Sequence, residues 1–444
     1  ELLTKYSAGE IPIHFLSKNA GTNLFAFYKR AFSNNNFVPP NNKFPLYIRY
    51  GGKSSLADFK EPDEPIVLDR ISLDITTLLL MDHFSLLDIF EKTKNPLIIP
   101  SETVHALVNM KQALEQYQPD IVQASKLLLE YLNENRVRKI DVNSNQFSSD
   151  FDFDRLSNLI NSLGNLQGYV VGFSSQISAW NRIDFSKSNL KFITLPDIVE
   201  SLRAEASISE VEKSIVYDLL GTEGLTRPNT SVPQGSNLIF VANTIHLLAQ
   251  TGILNTVCTA YTVWAESSEI SDIQSSLSEE RDRSGFATSL QNLIDKISKG
   301  IEDKKYVFLP QQKLDHKTEA LAQEDILLRN LFDNFTAGQN STILPAIDDF
   351  FIQKQLHFQG AQVIGIYELV WSAYKQESID EAKYYDLLIE FRKSDLRYIP
   401  ISSDEVFFHI KKAAIENNAV TESSKLRILR EYISSSLLTG RKLL

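Results

Sequence analysis

The sequence predicts an α/β protein, with parallel-stranded sheets flanked by helices and the unit built twice along one chain. Three observations predict it. Short runs such as Ile66-Val67-Leu68, Pro96–Pro100 (PLIIP), Gly168–Phe173 (GYVVGF) and Leu238–Ala242 (LIFVA) are apolar at successive positions. Strands of that kind need cover on both faces, as parallel strands between helices have. Amphipathic helical stretches, among them Gln112–Asn133 and Ser289–Lys299, alternate with these runs. The third observation is a recurring pattern. Thr342–Leu396 reads as strand, acid pair, helix, strand, helix, helix, and a weaker copy begins at Phe192. Ser207-Ile208 matches Ser378-Ile379 at a spacing of 171, and Tyr217–Leu220 (YDLL) matches Tyr385–Leu388 at 168. Near-equal spacings over matched patterns point to duplication.

Composition narrows the class. A chain of 444 residues is long enough for about two to four domains. Its 43% hydrophobic content, with 26 Phe and 16 Tyr, fills real cores and argues against disorder. A net charge of −11 argues against a broad phosphate-binding face, while leaving room for a local basic groove or a metal-bridged site. Cys258 is the single cysteine, so there is neither a disulfide framework nor a thiolate metal cluster. The expected location is therefore reducing, the cytoplasm. No apolar run reaches the ~20 residues that span a membrane, and no membrane partner is expected. The chain opens at Glu1, without Met or a signal pattern, and reads as a piece of something longer whose other domains are expected partners.

Taken in order, residues 1–64 form a mixed leader. Tyr6–Arg30 is helically patterned with a break at Ala20–Asn23, and Pro39-Pro40-Asn41-Asn42 marks a loop. Gly51–Ser55 (GGKSS) resembles the end of a phosphate-binding loop, but Tyr47 stands where that loop needs Gly, so it reads as a turn. Residues 65–224 form the first expected unit: strand Ile66–Leu68 ending at Asp69, helix Ser72–Phe90, strand PLIIP, and a helix opening at Ser101-Glu102-Thr103. The helix Gln112–Asn133 and a polar loop Val137–Asp152 follow, then helix Phe153–Leu163, strand Gly168–Phe173 and the copy from Phe192. Thr222–Gly235, rich in Gly, Pro, Thr and Asn, is the expected linker. The second unit, 236–400, repeats the order, with Leu238–Ala242 set 173 residues after Ile66–Asp69. Its strand Thr262-Val263-Trp264 parallels PLIIP, Ser275–Ser284 reads as a solvated segment, and helix Asp315–Phe332 precedes Ile343–Ile347. Residues 401–444 are a helical tail.

In parallel sheets, acids at the carboxyl ends of strands collect along one edge. Asp69 and the pair Asp348-Asp349 are placed that way, and adjacent carboxylates after an apolar strand are electrostatically awkward without a cation. Mg²⁺ takes such oxygen donors. Each candidate also has a plainer reading: Asp69 as a helix cap, Asp348-Asp349 as a solvated turn, and Glu319 as an exposed helix acid. No paired histidines suggest zinc. The Phe350-Phe351, Trp371 and Tyr384-Tyr385 aromatics fit core periodicity better than base stacking.

The arrangement resembles the PIN-like nuclease fold. The residues that carry the likeness are Leu68-Asp69 at a first strand end, Thr318-Glu319-Ala320-Leu321-Ala322 on a middle helix, and Ala346-Ile347-Asp348-Asp349 at a later strand end. More narrowly, the chain is similar to the tandem PIN-like C-terminal region of large bacterial tetratricopeptide-repeat proteins of conflict and antiviral defence. The resemblance covers roughly 65–400. It implies a hydrolase: a metal-dependent nuclease with Asp348, Asp349, Glu319 and Asp69 as catalytic metal ligands for Mg²⁺ or Mn²⁺. The implied substrate is RNA or a single-stranded nucleic acid, and an oligomer is allowed.

Neither expected unit carries a full acid set. The first has Ser174-Ser175 where the carboxylate pair belongs, and the second has Ala242 beside Asn243 at the first strand end. For the family's helix acid, strict alignment offers Leu107, with Glu102 nearby, in the first unit, and Glu266 or Glu269 in the second. Oxygen donors cannot become Ala without loss of affinity for a hard cation. Either a nested fold joins Asp69 to Glu319, Asp348 and Asp349 in one site, or both units are degenerate and serve as scaffold. An adaptor unrelated to nucleases is a third reading.

Overall fold

The computed structural model describes residues 1–39, 42–49, 66, 70–92, 95–115, 119–141, 151–163, 166–183, 189–221, 228, 230–241, 243–309, 343–358, 363–416 and 419–440. Asp69, Glu319, Gly51–Ser55, the expected helix Asp315–Phe332 and half of the Thr222–Gly235 linker lie outside them. The chain is α/β, as expected, but its two compact units do not follow one another. One comprises residues 1–115 and 284–444, the other residues 116–283. The second unit is therefore nested in the sequence of the first, and the expected boundary near 224–236 falls inside it.

In the first unit, helices α1 (Leu2–Ser7), α2 (Ile13–Asn19) and α3 (Leu24–Phe37) precede strand β1 (Leu46–Tyr47). This is not a separate leader, because Tyr6, Ile13, Leu24, Phe25 and Phe32 are buried in the unit's main core. Strand β2 is Ile71–Leu73, all three residues buried, while residues 67–69 of the expected strand lie outside the described residues. Helix α4 (Ile75–His83) follows with Asp74 as its N-cap, then α5 (Leu87–Phe90), β3 (Leu97–Ile99) and α6 (Thr103–Glu115). The helix expected to start at Ser72 begins three residues later because Ser72 pairs in the sheet, opposite Ile98.

The second unit opens with α7 (Pro119–Asn133). The single helix expected over Gln112–Asn133 is two, and Pro119 sits at the first position of the second, where a missing N–H costs nothing. Val137–Ile140, expected in a loop, is strand β4. Then come α8 (Phe151–Leu163), β5 (Gly168–Val171), α9 (Ile177–Trp180), β6 (Leu190–Ile193), α10 (Leu195–Ala204), α11 (Glu210–Leu220) and β7 (Asn237–Phe240). Helices α12 (Thr244–Gln250) and α13 (Leu254–Ala260), strand β8 (Thr262–Glu266) and helix α14 (Ser267–Glu302) follow. The expected solvated segment Ser275–Ser284 is part of that continuous helix. The sheet is wholly parallel in the order β4-β8-β7-β5-β6, with Val171, Leu238, Phe240 and Val263 in its core.

The first unit resumes within α14 at residue 284, where Leu290, Leu293 and Ile297 join its core, and continues with β9 (Tyr306–Phe308), β10 (Leu344–Ala346) and α15 (Phe350–Phe358). Ile364 makes a parallel bridge to Ala346, and α16 (Ile366–Lys375), α17 (Glu381–Lys393), β11 (Leu396–Arg397), α18 (Ser403–Lys411) and α19 (Ser424–Gly440) complete the chain. Its main sheet is parallel in the order β10-β2-β3-β9, with Ile364 beyond β10. β11 pairs with β1, so 396–397 and the leader belong to one unit.

The two sheets share a spatial order. Reading Ile364-β10-β2-β3-β9 against β6-β5-β7-β8-β4, each position corresponds, but the chain enters the second sheet at a different point. The hydrogen bonds fix the register. Asp74 N–H donates to Ala346 O at 3.1 Å as Val241 N–H donates to Val171 O at 3.1 Å. Ile347 N–H donates to Ile364 O as Gly172 N–H donates to Ile193 O. From Ile193 and Ile364 onward the copies stay in step at a spacing of 171: Ala206 and Glu377 both have positive φ, and Ser209 and Asp380 are both N-caps. The Tyr217–Leu220 match at 168 is thus about one helical turn out of step. Leu238–Ala242 likewise aligns not with Ile66–Asp69 but with the strand that ends at Asp74.

Candidate functional site

The first unit gathers acids at the carboxyl ends of β2 and β10. These adjacent parallel strands lead away to opposite sides of the sheet, β2 toward β3 and β10 toward Ile364. That is the topological position where open parallel sheets form crevices. Asp74 follows β2 and is fully buried. Its Oδ1 accepts the Thr77 N–H at 2.9 Å and the Thr76 hydroxyl at 2.7 Å, the N-cap geometry that starts α4. The Thr76 hydroxyl in turn accepts the Asp348 N–H at 3.0 Å, so one side chain joins the two strand ends.

Asp348 and Asp349 are each 1% exposed, which excludes a solvated turn. The Asp348 carboxylate accepts the Ile366 N–H with both oxygens, at 2.9 and 3.0 Å, at the start of α16. Asp349 Oδ1 accepts Ile352 N–H at 3.1 Å at the start of α15, and its Oδ2 accepts Ile13 N–H at 2.8 Å at the start of α2. Helix N-termini offer such unpaired donors and favour negative charge. Gly365 allows the tight fit, since a Cβ there would stand 2.5 Å from Asp348 Oδ1. Beside it, Glu368 accepts Gly365 N–H at 2.9 Å and the Arg49 guanidinium at 2.6 Å.

Burial dominates the electrostatics. It lifts Asp348 well above the usual carboxylate range, and neighbouring Asp74 and Glu368 add to the effect against the Ile366 N–H. It lifts Asp349 to about 7, opposed by the Ile13 and Ile352 N–H groups. Asp74 is raised as well, for the same reason, with Thr77 and Thr76 opposing. Asp74 Oδ2 makes no hydrogen bond, and the buried Tyr28 hydroxyl, which feels all three carboxylates, has no partner either.

The remaining candidates separate. Glu102 lies beside His105 at 3.5 Å, and Leu107 is core. In the second unit the hydrogen-bond register puts Val241, Phe173 and Ser174 where the first has Asp74, Asp348 and Asp349. The positions anticipated there, Ala242 and Ser175, are each one residue off. Glu269, buried and accepting Asn243 N–H at 2.7 Å, falls where the first unit has the buried Thr103. The aromatics Trp371, Tyr384 and Tyr385 are core, as their periodicity required.

Asp74 was missed by the sequence reading, although a signal was present. Two Leu-Asp pairs stand close together here, Leu68-Asp69 and Leu73-Asp74, and of these only the second is followed directly by a helix whose first turn carries Thr76 and Thr77.

Asp74, Asp348 and Asp349 are hard oxygen donors of the type Mg²⁺ or Mn²⁺ takes. In this arrangement the oxygens of Asp348 and Asp349 accept backbone N–H groups, while Asp74 Oδ2 makes no hydrogen bond. Among the described residues no group of three or more His, Cys, Asp or Glu is arranged to hold a metal ion. Among them, too, no helix is long and apolar enough to cross a membrane. Comparison with protein-family models, curated proteins and solved structures gives no match.

Proposed function

We propose that the chain is a binding scaffold built from two PIN-like units that have lost nuclease chemistry. The observation that carries this reading is the engagement of Asp348 and Asp349. Both are 1% exposed, and their carboxylates cap the first turns of three helices, α2, α15 and α16. A nuclease acid must meet a metal ion and a phosphodiester. These acids meet backbone N–H groups and lie under residues that belong to the unit's core. The strand order common to both units and the Asp74–Asp348–Asp349 cluster support a PIN-like origin. Val241, Phe173 and Ser174 at the same edge of the second unit support its degeneration. Other domains of a longer polypeptide remain the expected partners.

The test is incubation of the full chain with labelled RNA and single-stranded DNA in Mg²⁺ or Mn²⁺, beside Asp74→Asn, Asp348→Asn and Asp349→Asn. The scaffold reading expects no metal-dependent cleavage from any of them.

One observation favours a nuclease instead. Three desolvated carboxylates share one edge with no cation beside them among the described residues, and Asp74 Oδ2 has no hydrogen-bond partner. Mg²⁺ or Mn²⁺ would relieve that repulsion, with Asp69 and Glu319 as further ligands. Cleavage by the intact chain that disappears in Asp74→Asn would establish this second reading and remove the first.

A further inference from the structure

We infer that the outer face of α11, in the second unit, is a docking site for a basic amphipathic helix of a partner protein. The inference deepens the scaffold reading and rests on it. Val211, Ile215 and Leu219 recur every fourth residue along α11 and are 69, 51 and 52% exposed. That spacing lines one face of a helix. The opposite face already does the folding work, with Val216 and Leu220 buried in the unit's core.

Comparison within the molecule shows that the apolar stripe is particular to this copy. At the spacing of 171 that keeps the two helix pairs in step, Val211, Ile215 and Leu219 correspond to Ala382, Asp386 and Glu390 of α17. The first unit thus has two acids and an alanine on this face. There α17 is overlaid by later helices: the Tyr385 ring meets Phe408 of α18 at 4.8 Å, and Asp386 pairs with Lys425 of α19 at 2.5 Å. Among the described residues the second unit has no equivalent of α18 and α19, because its chain runs from α11 on to β7. A face that the first copy covers with a helix carrying a lysine is, in the second copy, apolar and bare.

Charge specifies the occupant. At about 100° per residue, Glu212 and Asp218 sit on either side of the stripe. The nearby bases are engaged elsewhere, Lys213 with Glu200 at 2.8 Å and Arg203 with Glu210 at 2.6 Å. An apolar ridge between two carboxylates fits a helix with apolar residues at every third or fourth position and Lys or Arg beside them.

The test uses the full chain and two fluorescein-labelled amphipathic peptides with the same leucine face, one flanked by lysines and one by glutamates. Fluorescence anisotropy should show the basic peptide binding at least about tenfold more tightly than the acidic one. That preference should reverse in Glu212→Lys/Asp218→Lys and vanish in Ile215→Glu/Leu219→Glu, while Phe407→Glu, exposed on α18, should leave it intact. Equal binding of both peptides, no binding, or binding indifferent to the α11 substitutions would overturn the proposal. So would light scattering showing a dimer that Ile215→Glu/Leu219→Glu dissolves, since the occupant would then be a second copy. Metal-dependent cleavage would remove the scaffold reading without altering peptide binding. Lost peptide binding without cleavage would remove only the docking face.

Discussion

Asp348 shows how a carboxylate at the end of a parallel strand can serve as a structural acceptor. Its replacement by Ala would leave the Ile366 N–H unpaired in a buried place, at a cost of about 2–4 kcal/mol. Asp348→Asn keeps an acceptor and removes a desolvated charge, so it should change stability by less than about 1 kcal/mol at neutral pH. Urea unfolding of the two variants separates these outcomes. Asp349 adds a pH dependence. Its folded value of about 7 lies above the ordinary 3.8, so folding takes up a proton. The contribution is fullest below about pH 4 and is lost as pH rises through about 7. Asp74 and Asp348, both raised, act in the same sense. Wild-type protein should therefore lose stability as pH rises from about 4 to about 7, and Asp349→Asn should lose less. A midpoint that rises with pH, or a slope unchanged by the substitution, would contradict this account. At residue scale the acid pair at 348–349 was legible because it ends an apolar run. Its burial was not legible, because the donors that satisfy it come from Ile13, Ile352 and Ile366, and the first lies 336 residues away.

At the scale of elements, the last helices are tied by one buried ion pair. The Arg392 guanidinium on α17 donates to the Glu405 carboxylate on α18 and to Pro400 O, and both charged side chains are wholly buried. Removing one partner alone strands a buried charge, so Arg392→Met should cost about 3–5 kcal/mol. Arg392→Met/Glu405→Leu should recover most of that loss in the same urea measurement. Elements with a strong local pattern were readable: the strand at Gly168–Val171 and the helix pairs after Ile193 and Ile364. Val137–Ile140 was not, because its middle residues, Arg138 and Lys139, are exposed on an edge strand and leave no apolar run. Ser275–Ser284, readable as a solvated face or a mobile segment, is a solvated stretch of a continuous helix, since polar composition does not show whether the helix goes on. In the reading, the strand before Asp74 was displaced by the more apolar Ile66–Leu68, and Asp74 was passed over with it.

At the scale of the molecule, the nesting explains why the duplication was visible while its arrangement was not. Periodicity is local, and two copies shifted cyclically along the chain still give matched segments at nearly constant spacing. Only the strand pairings show that β10 returns to β2 across the whole second unit. A cyclic shift keeps the packing of a sheet while moving its ends, which is why such permutation is tolerated. Native-state hydrogen exchange should accordingly group β2 with β10 in one cooperative set and β5 with β7 in another. Protection that follows chain order instead, with β2 and β5 exchanging together, would contradict the division.

The most direct measurement is the thermal midpoint of the full chain at neutral pH, with and without excess Mn²⁺, for wild type and for Asp74→Asn/Asp348→Asn/Asp349→Asn. A cation bound only by the folded state at about 100 times its Kd would add about 2.7 kcal/mol, a rise of a few degrees in a protein of this size. With the acids acting as helix caps, Mn²⁺ should leave both midpoints unchanged, and the triple variant should melt below wild type, since an amide at 349 has one acceptor oxygen where Asp349 uses two. A manganese-dependent rise in wild type that is absent from the triple variant would show that the edge holds a metal after all.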